Sequence, residues 1–179
     1  MKKGLVSVMV LVGALLAVGE VQAQFQKGDR LLNLGVGVNS YYSGGIPISA
    51  IYEVGITPQI SVGGGIDYLS HEYAYTYNFS RRFTALYIGA RGSYHFNELL
   101  KINDERFDVY GGLSLGFRSF TWRDNANNIY NPVDSSYGSG LFLGIHVGGR
   151  YYFSNRIGAF LELGGLGSTN ARIGVTFKL

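Results

Sequence analysis

The sequence predicts an all-β chain, a transmembrane up-and-down antiparallel β-barrel of eight strands. Three observations carry that prediction. Apolar and polar residues alternate with a period of two in eight separate stretches, the pattern of strands whose two faces meet different surroundings. The composition sets 27 glycines, 14 tyrosines and 11 phenylalanines against three prolines and no cysteine, without a collagen repeat or low-complexity tract. Beyond residue 23 no stretch has the length or the periodicity of a spanning helix, which leaves a closed barrel as the way for so apolar a chain to cross a bilayer.

Residues 1–23 read as a secretory signal peptide. Lys2 and Lys3 precede an apolar run from Leu5 to Val18, and Val21-Gln22-Ala23 offers a small-residue cleavage site. The run is shorter than the roughly 20 apolar residues of a membrane anchor. Residues 24–179 then form one domain, the barrel. Without cysteine there is no lipoprotein anchor and no disulfide framework. A formal net charge of +3 with no basic run gives no support to nucleic-acid binding.

The first strand, near 30–40, puts Leu32, Leu34, Val36 and Val38 opposite Asn33, Gly35, Gly37 and Asn39. The second, near 47–56, sets Ile48, Ala50, Tyr52, Val54 and Ile56 against Ser49, Ile51, Glu53 and Gly55. After the turn at 57–59, the third separates Ile60, Val62, Ile66 and Tyr68 from Ser61, Gly63, Gly65 and Asp67. The fourth, 86–96, separates Leu86, Ile88, Ala90, Tyr94 and Phe96 from Tyr87, Gly89, Arg91, Ser93 and His95. The fifth, near 107–120, has Phe107, Val109, Leu113, Leu115 and Phe117 against Asp108, Tyr110, Gly112, Ser114 and Arg118. The sixth, near 139–153, has Leu141, Leu143, Ile145, Val147 and Tyr151 against Gly144, His146, Gly148 and Arg150. The seventh, near 157–165, sets Ala159, Leu161 and Leu163 against Phe160 and Glu162. The eighth ends the chain, with Ile173, Val175, Phe177 and Leu179 against Arg172, Gly174, Thr176 and Lys178. Strands of about 9–11 residues suffice to span, and bacterial barrels use an even count.

Connections sort by side. Turns near 57–59 and 154–156 are short and 97–106 is moderate, whereas 69–82 and 121–138 are long. Short periplasmic turns and longer external loops are the asymmetry of outer-membrane barrels. A secreted β-sandwich predicts no such sorting. Aromatic residues near the strand ends are expected to form the two interfacial girdles: Tyr94, Phe96, Phe107, Tyr151, Phe153 and Phe177 on the periplasmic side, and Tyr68, Phe83, Phe117, Phe120 and Trp122 on the other.

In a membrane barrel the polar face looks inward. Its charges are Glu53, Asp67, Asp108 and Glu162 with Arg91, Arg118, Arg150 and Arg172, four acids and four arginines, and Lys178 near the periplasmic rim. Eight strands leave an interior that side chains can fill, and buried charges must be paired. Heights counted from the periplasmic ends match Glu53 with Arg150, Arg91 with Glu162, and Asp67 with Arg172. This ion network is read as a structural plug in preference to a conducting path.

Catalysis finds little support. His95 and His146 lie on inward faces, where hydrogen-bonded structural roles are expected. Ser70-His71-Glu72 has the composition of a catalytic triad, but adjacent strand residues point to opposite faces and do not converge. Gly63-Gly64-Gly65 lies mid-strand with no helix following, so it reads as packing or a kink and not as a phosphate loop. No metal-ligand cluster and no cofactor motif is present.

The segments YIGARGSYHF at 87–96, IGAFLELGGLG at 157–167 and ARIGVTFKL at 171–179 resemble the small outer-membrane β-barrel family of Gram-negative bacteria, of the OmpA/OmpX type. The resemblance implies a barrel in the outer membrane, contact with its lipid and lipopolysaccharide, and a last strand read by the barrel assembly machinery. That assembly strand usually ends in an aromatic residue. Here Leu179 is last, and Phe177, two earlier on the same face, takes the aromatic's place. The resemblance transfers no catalytic residue. The expected function is a non-enzymatic barrel with a plugged, ion-paired interior, a structural role, and binding or adhesion through loops 69–82 and 121–138. The alternative is a narrow pore for small solutes of the OmpW type; a lipid-modifying barrel enzyme ranks below both.

Overall fold

The computed structural model describes residues 24–76, 79–124, 137–165 and 167–179. The signal peptide reading at 1–23 and most of the segment 121–138 lie outside the described residues. Eight strands follow in order: β1 (Arg30–Gly37), β2 (Ile48–Gly55), β3 (Ile60–Thr76), β4 (Phe79–His95), β5 (Phe107–Asp124), β6 (Gly140–Tyr152), β7 (Ile157–Gly164) and β8 (Ala171–Lys178). Each pairs antiparallel with its sequence neighbour, and β1 pairs with β8 to close the barrel. Closure is in register from Leu31↔Lys178 to Gly37↔Arg172. Among the described residues no helix is long and apolar enough to cross a membrane.

Period-two alternation decides which face each residue takes. Leu141, Leu143 and Ile145 are 77%, 75% and 67% exposed on the outer face, in company with Ile88, Leu113 and Leu115. Asn33, Glu53, Ser61, Asp108, Arg150, Glu162 and Thr176 are buried on the inner one. Two glycines on facing strands permit one inward aromatic. A Cβ on Gly35 or Gly174 would come within 2.7 Å of the Phe160 ring, and on Gly174 within 2.0 Å of the Leu34 carbonyl oxygen. Phe160 therefore lies flat against bare backbone beside the β1–β8 seam.

The strands differ in length, and here the structure departs from the sequence reading. β3, β4 and β5 hold 17, 17 and 18 residues, against eight in β1, β2, β7 and β8. Of the segment 69–82, residues 69–76 therefore continue β3 and residues 79–82 belong to β4, where a long loop was expected. β2 stops pairing with β3 at Tyr68 and β6 stops pairing with β5 at Arg118, so the three strands rise as an extension past their neighbours.

Within this extension the inside-out pattern reverses. Leu69, Phe83 and Ala85 point inward and are fully buried, with Tyr73, Phe120, Trp122 and Phe142 packed half-buried around them. Ser70, Glu72, Arg82, Thr84, Thr121 and Arg123 take the outward face. Phe83, Phe120 and Trp122 are thus not interfacial girdle residues as the sequence suggested. They fill the barrel mouth, because above the apolar belt the outer face meets water and the apolar side chains turn inward. Tyr68 and Phe117, lower on the same strands, remain outward and exposed.

Candidate functional site in the barrel interior

The inward charges join into one file of alternating sign. Arg172 bridges Asp67 (Nη2 to Oδ2, 3.0 Å) and Glu162 (Nη1 to Oε2, 3.3 Å). Arg91 donates to both oxygens of Glu162, at 2.8 and 3.4 Å, and its Nε lies 3.4 Å from Glu53 Oε1. Arg150 donates from Nη2 to Glu53 Oε2 at 2.8 Å and from Nη1 to Asp108 Oδ2 at 2.7 Å. His95 Nδ1 stands 2.6 Å from Asp108 Oδ1. The order is Asp67, Arg172, Glu162, Arg91, Glu53, Arg150, Asp108, His95. All eight side chains are at most 7% exposed.

Neutral groups complete the file. The Tyr110 hydroxyl donates to Glu162 at 3.0 Å, and the Arg150 guanidinium lies 3.8 Å above the Tyr110 ring. Ser61 and Ser93 both donate to Glu53 Oε1, at 3.0 and 2.7 Å. Each serine has a histidine on its other side: His95 Nε2 lies 3.0 Å from Ser61, and His146 Nε2 lies 3.0 Å from Ser93. His95 thus links Ser61 to Asp108, and among the described residues His146 Nδ1 has no partner. Three guanidiniums and His95 stand among four carboxylates.

Arg118, expected in this network, stands apart. Its guanidinium lies 5.7 Å from the Phe120 ring, and among the described residues it has no carboxylate partner. In register Asp67 faces Tyr87 and Tyr87 faces Arg118, so a tyrosine separates the arginine from the nearest acid. Alternation assigns a face, but height along the axis depends on stagger. The place counted for Arg118 belongs to His95, whose composition signal was only an inward imidazole.

Both ends of the file are covered. At the loop end, the segment after β1 turns inward and delivers Tyr42, whose hydroxyl bonds that of Tyr87 and whose carbonyl accepts from the Tyr73 hydroxyl. Burial pushes the Tyr42 hydroxyl far above its ordinary range. Its ring packs on Phe83, Phe120 and Tyr137 at 4.9, 5.6 and 5.1 Å. Ser168, from the β7–β8 connection, caps Asp67 through both its amide and its hydroxyl. At the turn end, residues 24–29 form a strap. Phe25 stacks parallel on His95 with centroids 3.5 Å apart, Gly28 N donates to Gly55 O at 2.9 Å, and Lys178 ties Asp29 at 2.8 Å. Between the aromatic layer and the ion file remains a cavity of about 50 Å³, bounded by Tyr87, Phe142, Asp67, Arg91 and Arg172.

The structure offers no convergent catalytic set at Ser70-His71-Glu72. Ser70 and Glu72 lie on the outer face, bonded to Thr84 and Arg82, while His71 turns inward against Tyr73. Among the described residues no cluster of His, Asp or Glu is arranged to hold a metal ion. At the far end of the closing strand, Phe177 faces Leu32 across the seam and Ile157 on the other side.

An exterior belt of exposed Leu, Ile and Val around a buried ionic interior inverts the distribution of a water-soluble barrel. It defines the transmembrane β-barrel class, here with eight strands running up and down in chain order. No family model matches the chain, and no curated protein matches it. Fifteen solved chains do. One comes from a de novo design of transmembrane β-barrels, at 14% identity over 87% of this chain and 99% of that one, TM-score 0.47. The N-terminal β-barrel domain of Pseudomonas aeruginosa OprF is 19% identical over 87% and 100%, TM-score 0.48. Ail, the attachment invasion locus protein of Yersinia pestis, is 11% identical over 86% and 96%, TM-score 0.45.

Proposed function

We propose that the chain is an integral outer-membrane barrel with an occluded interior, whose work is to brace the envelope and to hold the β3–β5 extension outward for contacts. The supporting observation is occlusion at three heights: the aromatic layer around Tyr42 and Phe83, the ion file, and the Phe25 strap. An ion crossing this path would have to displace paired charges in a low-dielectric interior, at a cost of several kcal/mol for each pair opened. Assembly through the last strand by the barrel assembly machinery, with Phe177 as its aromatic, belongs to the same reading. The outward face of the extension offers Arg82 and Arg123 beside the hydroxyls of Ser70, Thr84 and Thr121, polar groups that adapt readily to a partner. The test is single-channel recording of the purified, folded protein in planar bilayers. The expected record is silent; a steady, reproducible unitary conductance would replace occlusion with the narrow-pore function.

A further inference from the structure

The outward face of the extension is ordered in rows of cross-strand neighbours. Ile66, Ile88 and Phe117 form one row, and Tyr68, Leu86 and Ser119 the next. Above them come Ser70, Thr84 and Thr121, and then Glu72, Arg82 and Arg123. The sequence of rows is apolar, mixed, hydroxyl, charged. Arg82 lies twelve residues along β4 from Tyr94, the exposed aromatic near the other end of the same face. At about 3.3 Å per residue and a tilt near 40°, that is about 30 Å along the barrel axis, against an apolar band of about 25 Å. The charged row therefore stands at headgroup height.

Its charge is unbalanced. Arg82 donates to Glu72 Oε2 at 3.1 Å, and the other oxygen of Glu72 accepts from Ser80. Arg123 sits directly opposite Arg82, exposed, and among the described residues has no carboxylate partner. Like charges in facing strand positions are unfavourable unless something neutralises them. Arg81 does not contribute here, since it lies on the other face, 4.8 Å over the Trp122 ring.

We propose that Arg82 and Arg123 clamp the phosphate of an anionic lipid headgroup in the outer leaflet. Two forked guanidiniums on adjacent strands present several N–H donors to the oxygens of one phosphate, the arrangement for which arginine is better shaped than lysine. The hydroxyl row beneath meets the polar–apolar boundary of the same lipid. The proposal rests on the barrel reading, with the extension facing outward.

The experiment uses the folded protein in nanodiscs of zwitterionic phosphatidylcholine with a minor fraction of phosphatidic acid, the probe for a phosphate monoester. Native mass spectrometry reads which lipid stays bound. The parent should retain phosphatidic acid in preference, and Arg82→Gln or Arg123→Gln should each reduce that retention about tenfold, the equivalent of one charge-assisted pair. Arg81→Gln removes the same charge at the same height from the wrong face and should leave retention unchanged. Glu72→Gln removes the competing carboxylate and should raise it. Equal retention by the parent and both arginine variants, an equal loss in Arg81→Gln, or no gain in Glu72→Gln overturns the clamp. Gel mobility certifies folding in every sample. Loss of lipid selectivity in a silent barrel sinks the clamp alone, whereas steady conductance sinks the occluded barrel alone.

Discussion

Replacing Arg150 by methionine tests the ion file at its most connected point. The guanidinium is 1% exposed, bonds Glu53 at 2.8 Å, Asp108 at 2.7 Å and Asn33 at 3.4 Å, and covers the Tyr110 ring. Methionine approximates the aliphatic stem, so lost volume contributes little. Glu53 keeps Arg91 and two serines, and Asp108 keeps His95, but both carboxylates lose the cation they share. Removing one partner of a buried pair costs about 3–5 kcal/mol, and the lost cation–π contact adds up to about 2 kcal/mol. The expected total is therefore about 3–7 kcal/mol. The double variant Arg150→Met with Asp108→Asn also removes one of the two carboxylates left behind and should recover about 1–3 kcal/mol of that loss, the usual coupling of contacting residues. Urea unfolding in lipid vesicles, followed by circular dichroism and by the heat-modifiable gel form, measures both. A single variant costing under about 1 kcal/mol, or a double variant less stable than the single, would refute the view that a buried charge balance holds this interior together.

Three further outcomes follow from the same geometry. Phe177→Asp, or deletion of residues 177–179, should leave the protein unassembled in the periplasm, while Lys178→Ala should still assemble with only its ties to Asp29 and the Gln24 carbonyl lost; outer-membrane fractions run with and without heating decide it, and normal assembly of the deletion rejects the role of the last strand. Phe25→Ala should unseat the strap, so the Gly28 and Gly55 amides, now bonded at 2.9 and 2.8 Å, should exchange hydrogen faster; unchanged exchange would mean that Phe25 does not hold the strap down. Gly174→Ala should block closure of the β1–β8 seam and resist rescue by Phe160→Ala, because the new Cβ also meets the Leu34 carbonyl oxygen at 2.0 Å, whereas Gly138→Ala, with nothing within 4 Å, should fold; equal yields of the two glycine variants would dismiss the seam argument.

The sequence shows the barrel through alternation alone, since a period of two assigns every residue from Leu31 to Lys178 within the membrane to a face. Glu53, Asp67, Asp108, Glu162, Arg91, Arg150 and Arg172 were legible as inward for that reason. Their order along the axis was harder to read, because height depends on strand stagger. That is why Arg118 was counted into a network from which Tyr87 separates it. The extension lacks the outward-facing apolar residues that mark the other strands, so its sequence resembles a loop. Past Tyr68 the surroundings change from lipid to water and the pattern inverts, with Leu69, Tyr73, Phe83 and Trp122 on the face where Asp67 and Arg91 lie lower down. A reading that allowed the phase to switch would have extended β3 and β4 correctly. The strap at 24–29 has no periodic signal and goes unmarked in the sequence.

The chain contains a single tryptophan, and its position changes what light from this protein means. A girdle tryptophan reports insertion, since brominated acyl chains quench it. Trp122 instead sits inside the mouth, 4.7 Å from Phe83 and under the Arg81 guanidinium. Its emission is shielded from the acyl chains and sensitive to whether the aromatic layer is packed. Fluorescence of this barrel is thus an intrinsic gauge of the extension's closure and largely blind to the bilayer, so a fully inserted barrel with a loosened mouth would register as unfolded by this probe and as folded by gel mobility.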